Sequence, residues 1–294
     1  MKPTFTIMAG LAFAAFGSHA AAESGSGPYP AVFEQDPTLP AHVVYRPEKL
    51  AELKSEKLGI YVFGNGACSA DGTSSKNHLL EIASQGYLAV APGTIPVPQP
   101  QGGTPDGPPP GGLRASTTAE SLTEAIDWAV GENAREGSPY YQRLDPEKIA
   151  VSGFSCGGLQ ALSIAKDPRI ATVIVMNSGI FNAGNPIAGI KVDKSMLADL
   201  HGSVLYVLGG PTDIAHANGM DDYSRINHIP AAHIDIPVGH GGTYMEPHGG
   251  IGAEVVTAWL NWRLKGDAAA AKKFQGEGCA YCVDKRITYE YKNF

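Results

Sequence analysis

The 294-residue chain carries no run of basic residues and is poor in charge altogether, with 17 % Asp, Glu, Lys and Arg. Its 22 Lys and Arg stand against 29 Asp and Glu, a net charge of −7 with neutral histidines. A surface that wraps phosphates needs clustered cations, so nucleic acid is excluded as a partner. No fixed period runs through the 36 Gly or the 22 Pro, which excludes a collagen-like rod, and a hydrophobic content of 43 % excludes a disordered chain. Beyond the leader, no apolar stretch is long enough to span a bilayer. Internal repeats and dividing linkers are absent as well.

Cysteine is scarce: Cys68, Cys156, Cys279 and Cys282 make an even set with three possible pairings. The tail motif CAYC has no second C-x-x-C and no nearby His pair, so a zinc ribbon is not expected. The N-terminus places Lys2 ahead of an apolar stretch from Phe5 to Phe16, followed by Ser18, Ala20 and Ala22 at the small-residue positions of a cleavage site. Residues 1–22 therefore read as a secretory signal peptide, which places the protein in the periplasm or outside the cell, where disulfides persist. Residues 23–294 are expected to form a single domain with a C-terminal tail at 265–294.

Six short apolar runs, LGIYVFG, GYLAVAPG, KIAVSGF, TVIVMNSG, SVLYVLGG and HIDIPVG, have the length and branching of strands. Their continuous hydrophobicity predicts a mainly parallel sheet covered by helices on both faces, an α/β class. Amphipathic stretches alternate with them. Thr117 to Arg135 opens with Thr117 and Glu120 in a capping-box relation and carries Leu122, Ile126 and Val130 on one face. HLLEIASQG, CGGLQALSIAKD and AEVVTAWLNWRLKG behave alike, with Trp259 and Trp262 as packing residues. Between two such signals, Pro92 to Gly112 is too rich in Pro and Gly for helix or central strand, and reads as a substrate-binding lip.

Gly153, Ser155 and Gly157 form Gly-x-Ser-x-Gly where a strand hands over to a helix. Glycines on both sides relieve crowding at the sharp turn that a nucleophile elbow needs. A serine hydroxyl is a poor nucleophile at neutral pH, so a base and a carboxylate are expected downstream in the order Ser, acid, His. Asp213 follows SVLYVLGG and His240 follows HIDIPVG, both at the carboxyl edge. Among rivals, Asp221 and Asp222 read as solvated helix residues, and His216 and His248 lie off the strand ends. His201, His228 and His233 read as structural or exposed, and His240, Glu246 and His248 lack the helical spacing of a metal site.

Acyl transfer also needs donors for an oxyanion. The Cys156 amide supplies one, and Gly64 and Gly66 turn the chain so that the amide of Cys68 or Ala67 supplies the second. Both loops carry cysteines. If their backbones converge on one oxygen, the side chains come within bridging distance, so the pairing expected is Cys68 with Cys156 and Cys279 with Cys282. Asn65 in the first loop, and Ile180 and Phe181 beside Asn182 in the loop after TVIVMNSG, are the expected substrate contacts. No cofactor is implied, because the chemistry is complete with protein groups.

GFSCGG, GGPTDIAHANG and VGHGGTY, with the early GNGACS and LLEIASQGYLAVAPG, resemble the secreted α/β-hydrolases related to bacterial cutinases, polyester hydrolases and chlorophyllase-like or dienelactone-hydrolase-like enzymes. The resemblance covers most of residues 58–264. It implies an α/β-hydrolase fold, hydrolysis of small-molecule or polymeric carboxylic esters, and Ser155, Asp213 and His240 as nucleophile, acid and base. Cutinase-like enzymes commonly carry an aromatic residue in the oxyanion loop and a methionine after the nucleophile. This chain has Cys68 and Cys156 there, so their specificity is not carried over, and the Pro-rich lip argues against solid polyester. Two other readings use the same residues: an amidase or peptidase, and a binding protein on a silent hydrolase fold.

Overall fold

The computed structural model describes residues 24–53, 56–97 and 113–294. The leader and residues 98–112 of the Pro/Gly-rich stretch lie outside the described residues. In chain order the first half holds β1 (Ala31–Glu34), β2 (His42–Pro47), β3 (Leu58–Gly64), α1 (Lys76–Ser84), β4 (Tyr87–Pro92) and α2 (Ala119–Ala134). Then come β5 (Leu144–Phe154), α3 (Cys156–Ile164), β6 (Ile170–Met176), β7 (Ser203–Leu208), α4 (His216–Arg225) and β8 (Ala231–Asp235). The chain ends with α5 (Gly250–Lys265), α6 (Ala268–Phe274), α7 (Ala280–Val283) and β9 (Thr288–Lys292).

Among the described residues all strands join one nine-stranded sheet in the order β1-β2-β4-β3-β5-β6-β7-β8-β9. The block from β4 to β8 is parallel, while β1, β2 and β9 pair antiparallel at the two edges. Each of the six apolar runs is one of the parallel strands. Their period-two alternation feeds two cores. Ile60, Val62, Val151, Val173, Val175 and Tyr206 face α2 and α3, and Tyr61, Phe63, Ala150, Ile174 and Val207 face α1 and α5. With both faces buried no polar residue is needed on either, which is why these strands read as unbroken apolar runs.

The antiparallel strands β1, β2 and β9 escaped the sequence reading because they lack that signature. TYEYK in β9 is half exposed, and β2 runs into Pro47. The C-terminal segment is correspondingly more than a tail. Phe274 and Tyr281 are buried, Phe274 packs edge-on against Trp259 at 5.2 Å, and β9 closes the sheet along β8. The start of α2 also differs from expectation. Thr118, not Thr117, is the N-cap, and Ser121 Oγ faces its amide; Thr117 is buried and donates its hydroxyl to Cys68 O at 3.1 Å.

From β3 the chain returns through α1 to β4 on one side, and from β5 it leaves through α3 to β6 on the other. The sheet order therefore reverses between β3 and β5, and the crevice beyond their carboxyl ends is where open α/β sheets bind ligands. Three glycines let α3 start against these strand ends. A Cβ on Gly157 would sit 2.0 Å from Gly64 O, one on Gly153 2.2 Å from Gly157 C, and one on Gly64 2.7 Å from Gly157 Cα. Backbone cannot yield to such overlaps, so Gly157→Ala is expected to destabilise by at least about 1–3 kcal/mol. Gly131, exposed in α2 with nothing within 4 Å of its would-be Cβ, is the control. Gly131→Ala is expected to stabilise by about 0.4–1 kcal/mol. Urea denaturation of both variants distinguishes them, and equal effects would contradict the packing assigned to Gly157.

Candidate active site

At the turn from β5 into α3, Ser155 adopts φ 53 and ψ −118, a conformation that L-residues rarely take. Bonds on both sides hold it there. Its amide donates to Met176 O at 2.9 Å, and its carbonyl accepts from Ser178 Oγ at 2.6 Å and from the Gly158 amide at 2.9 Å. The side chain thereby stands above the sheet edge. Ser155 Oγ is 2.9 Å from His240 Nε2, and His240 Nδ1 is 2.6 Å from Asp213 Oδ1. The three residues singled out in the sequence thus form one hydrogen-bonded chain, the imidazole carried by the loop after β8 and the carboxylate by the loop after β7.

Asp213 is only 4 % exposed and its oxygens are fully engaged. Beside His240, Oδ1 accepts from the Ala215 amide at 2.9 Å, and Oδ2 accepts from the Gly209 amide at 3.0 Å and Asn177 Nδ2 at 2.9 Å. Burial pushes this carboxyl up, but His240, the two amides and Asn177 outweigh it and hold it down to about 2. Asn177, at φ 45 just past β6, also donates to Gly239 O at 3.2 Å and accepts from the Tyr244 hydroxyl at 2.8 Å. Gly209 completes the seam: its carbonyl accepts from the Gly239 amide at 2.9 Å, and a Cβ there would lie 2.0 Å from Gly239 O. Sequence reasoning missed Asn177 and Tyr244. Asn177 closes the apolar run TVIVMNSG and Tyr244 closes VGHGGTY, but nothing in either pattern assigns them a partner at Asp213.

Cys68 and Cys156 are joined by a disulfide with their Cα atoms 5.2 Å apart, and Cys279 and Cys282 form the second. The first bridge ties the loop after β3 to the first residue of α3. Here the amides separate. The Cys68 amide donates to Asn65 O at 3.1 Å, so it is engaged in its own turn. The amides of Ala67 and Cys156 have no hydrogen-bond partner among the described residues, and Ala67 itself lies at φ 54. Cys68 is therefore a buried anchor of the loop, and Ala67 is the donor left on that side.

Beside Ser155 opens a cavity of about 300 Å³ whose apolar wall is Leu113, Leu159, Phe181, Pro186, Ile187 and Ile214. Phe181 lies where the sequence placed it. Ile180 does not: it is core at 2 % exposure, and its amide donates to Asp222 Oδ2 at 2.7 Å. Asn65 is also buried and structural, its Nδ2 donating to Ser69 O and Pro92 O. Asn182 is exposed and donates to Ala217 O. Asp222, expected to be solvated, is fully buried. Burial pushes it up to about 6 against the pull of Lys194, whose ammonium is 2.6 Å away. This pair fixes the loop that carries Phe181. A larger polar groove of about 540 Å³, lined by Glu81, His248, Glu254, Asp267 and Lys273 among others, lies away from Ser155.

Neither a protein-family model nor a curated protein matches the chain.

The depressed Asp213 carboxyl links the site to stability. In the unfolded chain it titrates at 3.8 and in the folded one at about 2. The native state therefore binds fewer protons between these values, and the stabilisation is complete above pH 5 and lost as pH falls through 3.8 towards 2. The difference is about 2 kcal/mol. In Asp213→Asn that titration is gone, so the fall in unfolding free energy from pH 5 to pH 2 is expected to be smaller by about this amount. Urea melts across the range measure it, and identical pH slopes in the two proteins would refute the linkage.

Proposed function

We propose that this protein is a serine hydrolase of the α/β-hydrolase fold that cleaves carboxylic esters through an acyl-enzyme. The observation that carries the reading is the chain from Ser155 Oγ through His240 to Asp213, at 2.9 and 2.6 Å, with the serine held at positive φ. His240 Nε2 takes the Ser155 proton as Oγ attacks the ester carbonyl. Asp213 holds the ring so that Nδ1–H points at the carboxylate, and it stabilises the imidazolium. The carbonyl oxygen, now anionic, is received by the amides of Cys156 and Ala67. The C–O bond to the alcohol breaks as His240 returns the proton to the leaving oxygen. A water, deprotonated by the same ring, then attacks the acyl-Ser155 ester, and the acid leaves as Oγ regains its proton.

Several features support the details. The mainly parallel sheet with both faces covered, and nucleophile, acid and base after β5, β7 and β8, agree with the fold that the motifs resemble. The same resemblance favours esters over amides. The apolar wall of the cavity suits a hydrocarbon acyl or alcohol group, and Ile214 at 80 % exposure offers an apolar rim for the rest of a larger substrate. Four cysteines in two disulfides favour an oxidising compartment, in line with the leader read from the sequence.

Purified protein is expected to turn over p-nitrophenyl esters and to be labelled at Ser155 by a fluorophosphonate. Ser155→Ala should lower kcat/KM by at least about 10⁴-fold with an unchanged melting temperature. An unlabelled wild type across a broad pH range would favour a silent binding protein, and faster turnover of matched amides an amidase.

A further inference from the structure

Three side chains with metal-binding atoms converge directly behind the acid and base loops. His216 opens α4 three residues after Asp213, and His233 and Asp235 lie on β8, which leads to His240. Their donor atoms all lie within 4.8 Å of one another. His216 Nε2 is 3.0 Å from Asp235 Oδ2, and His233 Nε2 is 3.2 Å from Asp235 Oδ1. The first contact is a hydrogen bond; the second lacks the alignment of one. Both ring nitrogens of His233 and Oδ1 of Asp235 have no hydrogen-bond partner among the described residues, although His233 is only 1 % exposed.

A buried imidazole without partners needs an explanation. Reading His233 as merely structural leaves Nδ1 bare and gives Nε2 only a misaligned 3.2 Å contact with Asp235, whose other oxygen is taken by His216. A cation does account for it. Around zinc at bond lengths of about 2.0–2.2 Å, tetrahedral neighbours stand roughly 3.4 Å apart; the three donor atoms, one from each residue, lie within 4.8 Å of one another, and each imidazole already reaches one oxygen of the Asp235 carboxylate, so small side-chain shifts bring them to that spacing. Two neutral imidazoles and one carboxylate are the donor set of zinc and its first-row neighbours, unlike the all-oxygen shells of calcium or magnesium. His216 and Asp235 keep 22 % and 13 % of their side chains exposed, which leaves a way in for the ion and a place for water as the fourth ligand. The register of β9 sets Glu290 across from His233, adding negative charge, while the Lys292 ammonium turns to Tyr223 O and Asn227 Oδ1.

We propose that His216, His233 and Asp235 bind a zinc-class divalent cation that clasps the start of α4 to β8. The clasp is structural. It joins the segment just after Asp213 to the strand just before His240, and the ester chemistry proposed above does not pass through it. Its test reads binding and stability, so it stands or falls separately from the hydrolase reading.

The test uses the purified chain with both disulfides formed, stripped with chelator and then dialysed against zinc alone. Elemental analysis is expected to find one zinc per chain, and saturating zinc is expected to raise the melting temperature by about 5 °C or more. His216→Ala and Asp235→Asn should bind zinc at least about a hundredfold more weakly and lose the thermal shift. His216 is partly exposed at a helix start, so a metal-free melting temperature of His216→Ala close to that of the metal-free wild type confirms an intact fold. Wild-type protein that retains no zinc and shows no shift would overturn the proposal, as would a folded His216→Ala that binds zinc as tightly as the wild type.

Discussion

A single strained residue organises the carboxyl edge of this sheet. Ser155 sits at positive φ, a state that costs of order 1–3 kcal/mol for a residue with a side chain. It persists because the surroundings allow no other path. Gly64, Gly153 and Gly157 bring α3 into backbone contact with the ends of β3 and β5, the serine amide extends the ladder to Met176, and the Cys68–Cys156 bridge pins the same junction from the side. A loop of this length closed by a disulfide contributes on the order of 4–5 kcal/mol in the chain-entropy account, enough to offset the strain. The hydroxyl is thus held out into the crevice by construction of the backbone.

Facing it, the carboxylate and the imidazole are placed by a seam between three consecutive parallel strands. Asn177 after β6, Gly209 after β7 and Gly239 after β8 exchange hydrogen bonds across the strand ends, and Asp213 is folded into the middle of them. A carboxylate with four donors and almost no water has little freedom to rotate. The orientation of the His240 ring follows from it, because Nδ1 is held at 2.6 Å by Asp213 Oδ1. Asn177 and Tyr244 act on that geometry through other residues, and the pair of half-buried Lys194 with buried Asp222 does the same for the apolar wall through the Ile180 amide.

How far these features were legible depended on whether a local pattern encodes them. The parallel strands announced themselves as apolar runs, because a strand covered on both faces has no polar side to interrupt it. The edge strands AVFE and TYEYK are short and partly exposed, so their pattern merges with that of loops, while HVVYRP, buried between β1 and β4, is a short apolar run interrupted by Arg46 and Pro47. Ser155, Asp213 and His240 were readable because chain order and strand ends constrain them. Ile180 and Phe181 were not separable in the same way. Adjacent residues of a loop carry no periodicity, and only the packed structure shows that one joins the core and the other lines the cavity. The surroundings of His233 were hidden for a related reason: its neighbours His216 and Asp235 come from another element and from two residues along a strand, a proximity no linear spacing expresses.

From its residues alone the chain determined an α/β architecture, the positions of Ser155, Asp213 and His240 at strand ends along it, and a disulfide pairing inferred from two cysteines in facing loops. Those are properties of local periodicity and of chain order, which survive without coordinates. The tertiary structure decided which amide of the early loop is left free, which polar side chains support Asp213, which residues wall the cavity, and that Asp222 and His233 are buried. Each of these depends on contacts between segments far apart in sequence, whose energies arise only when the sheet brings the strand ends together.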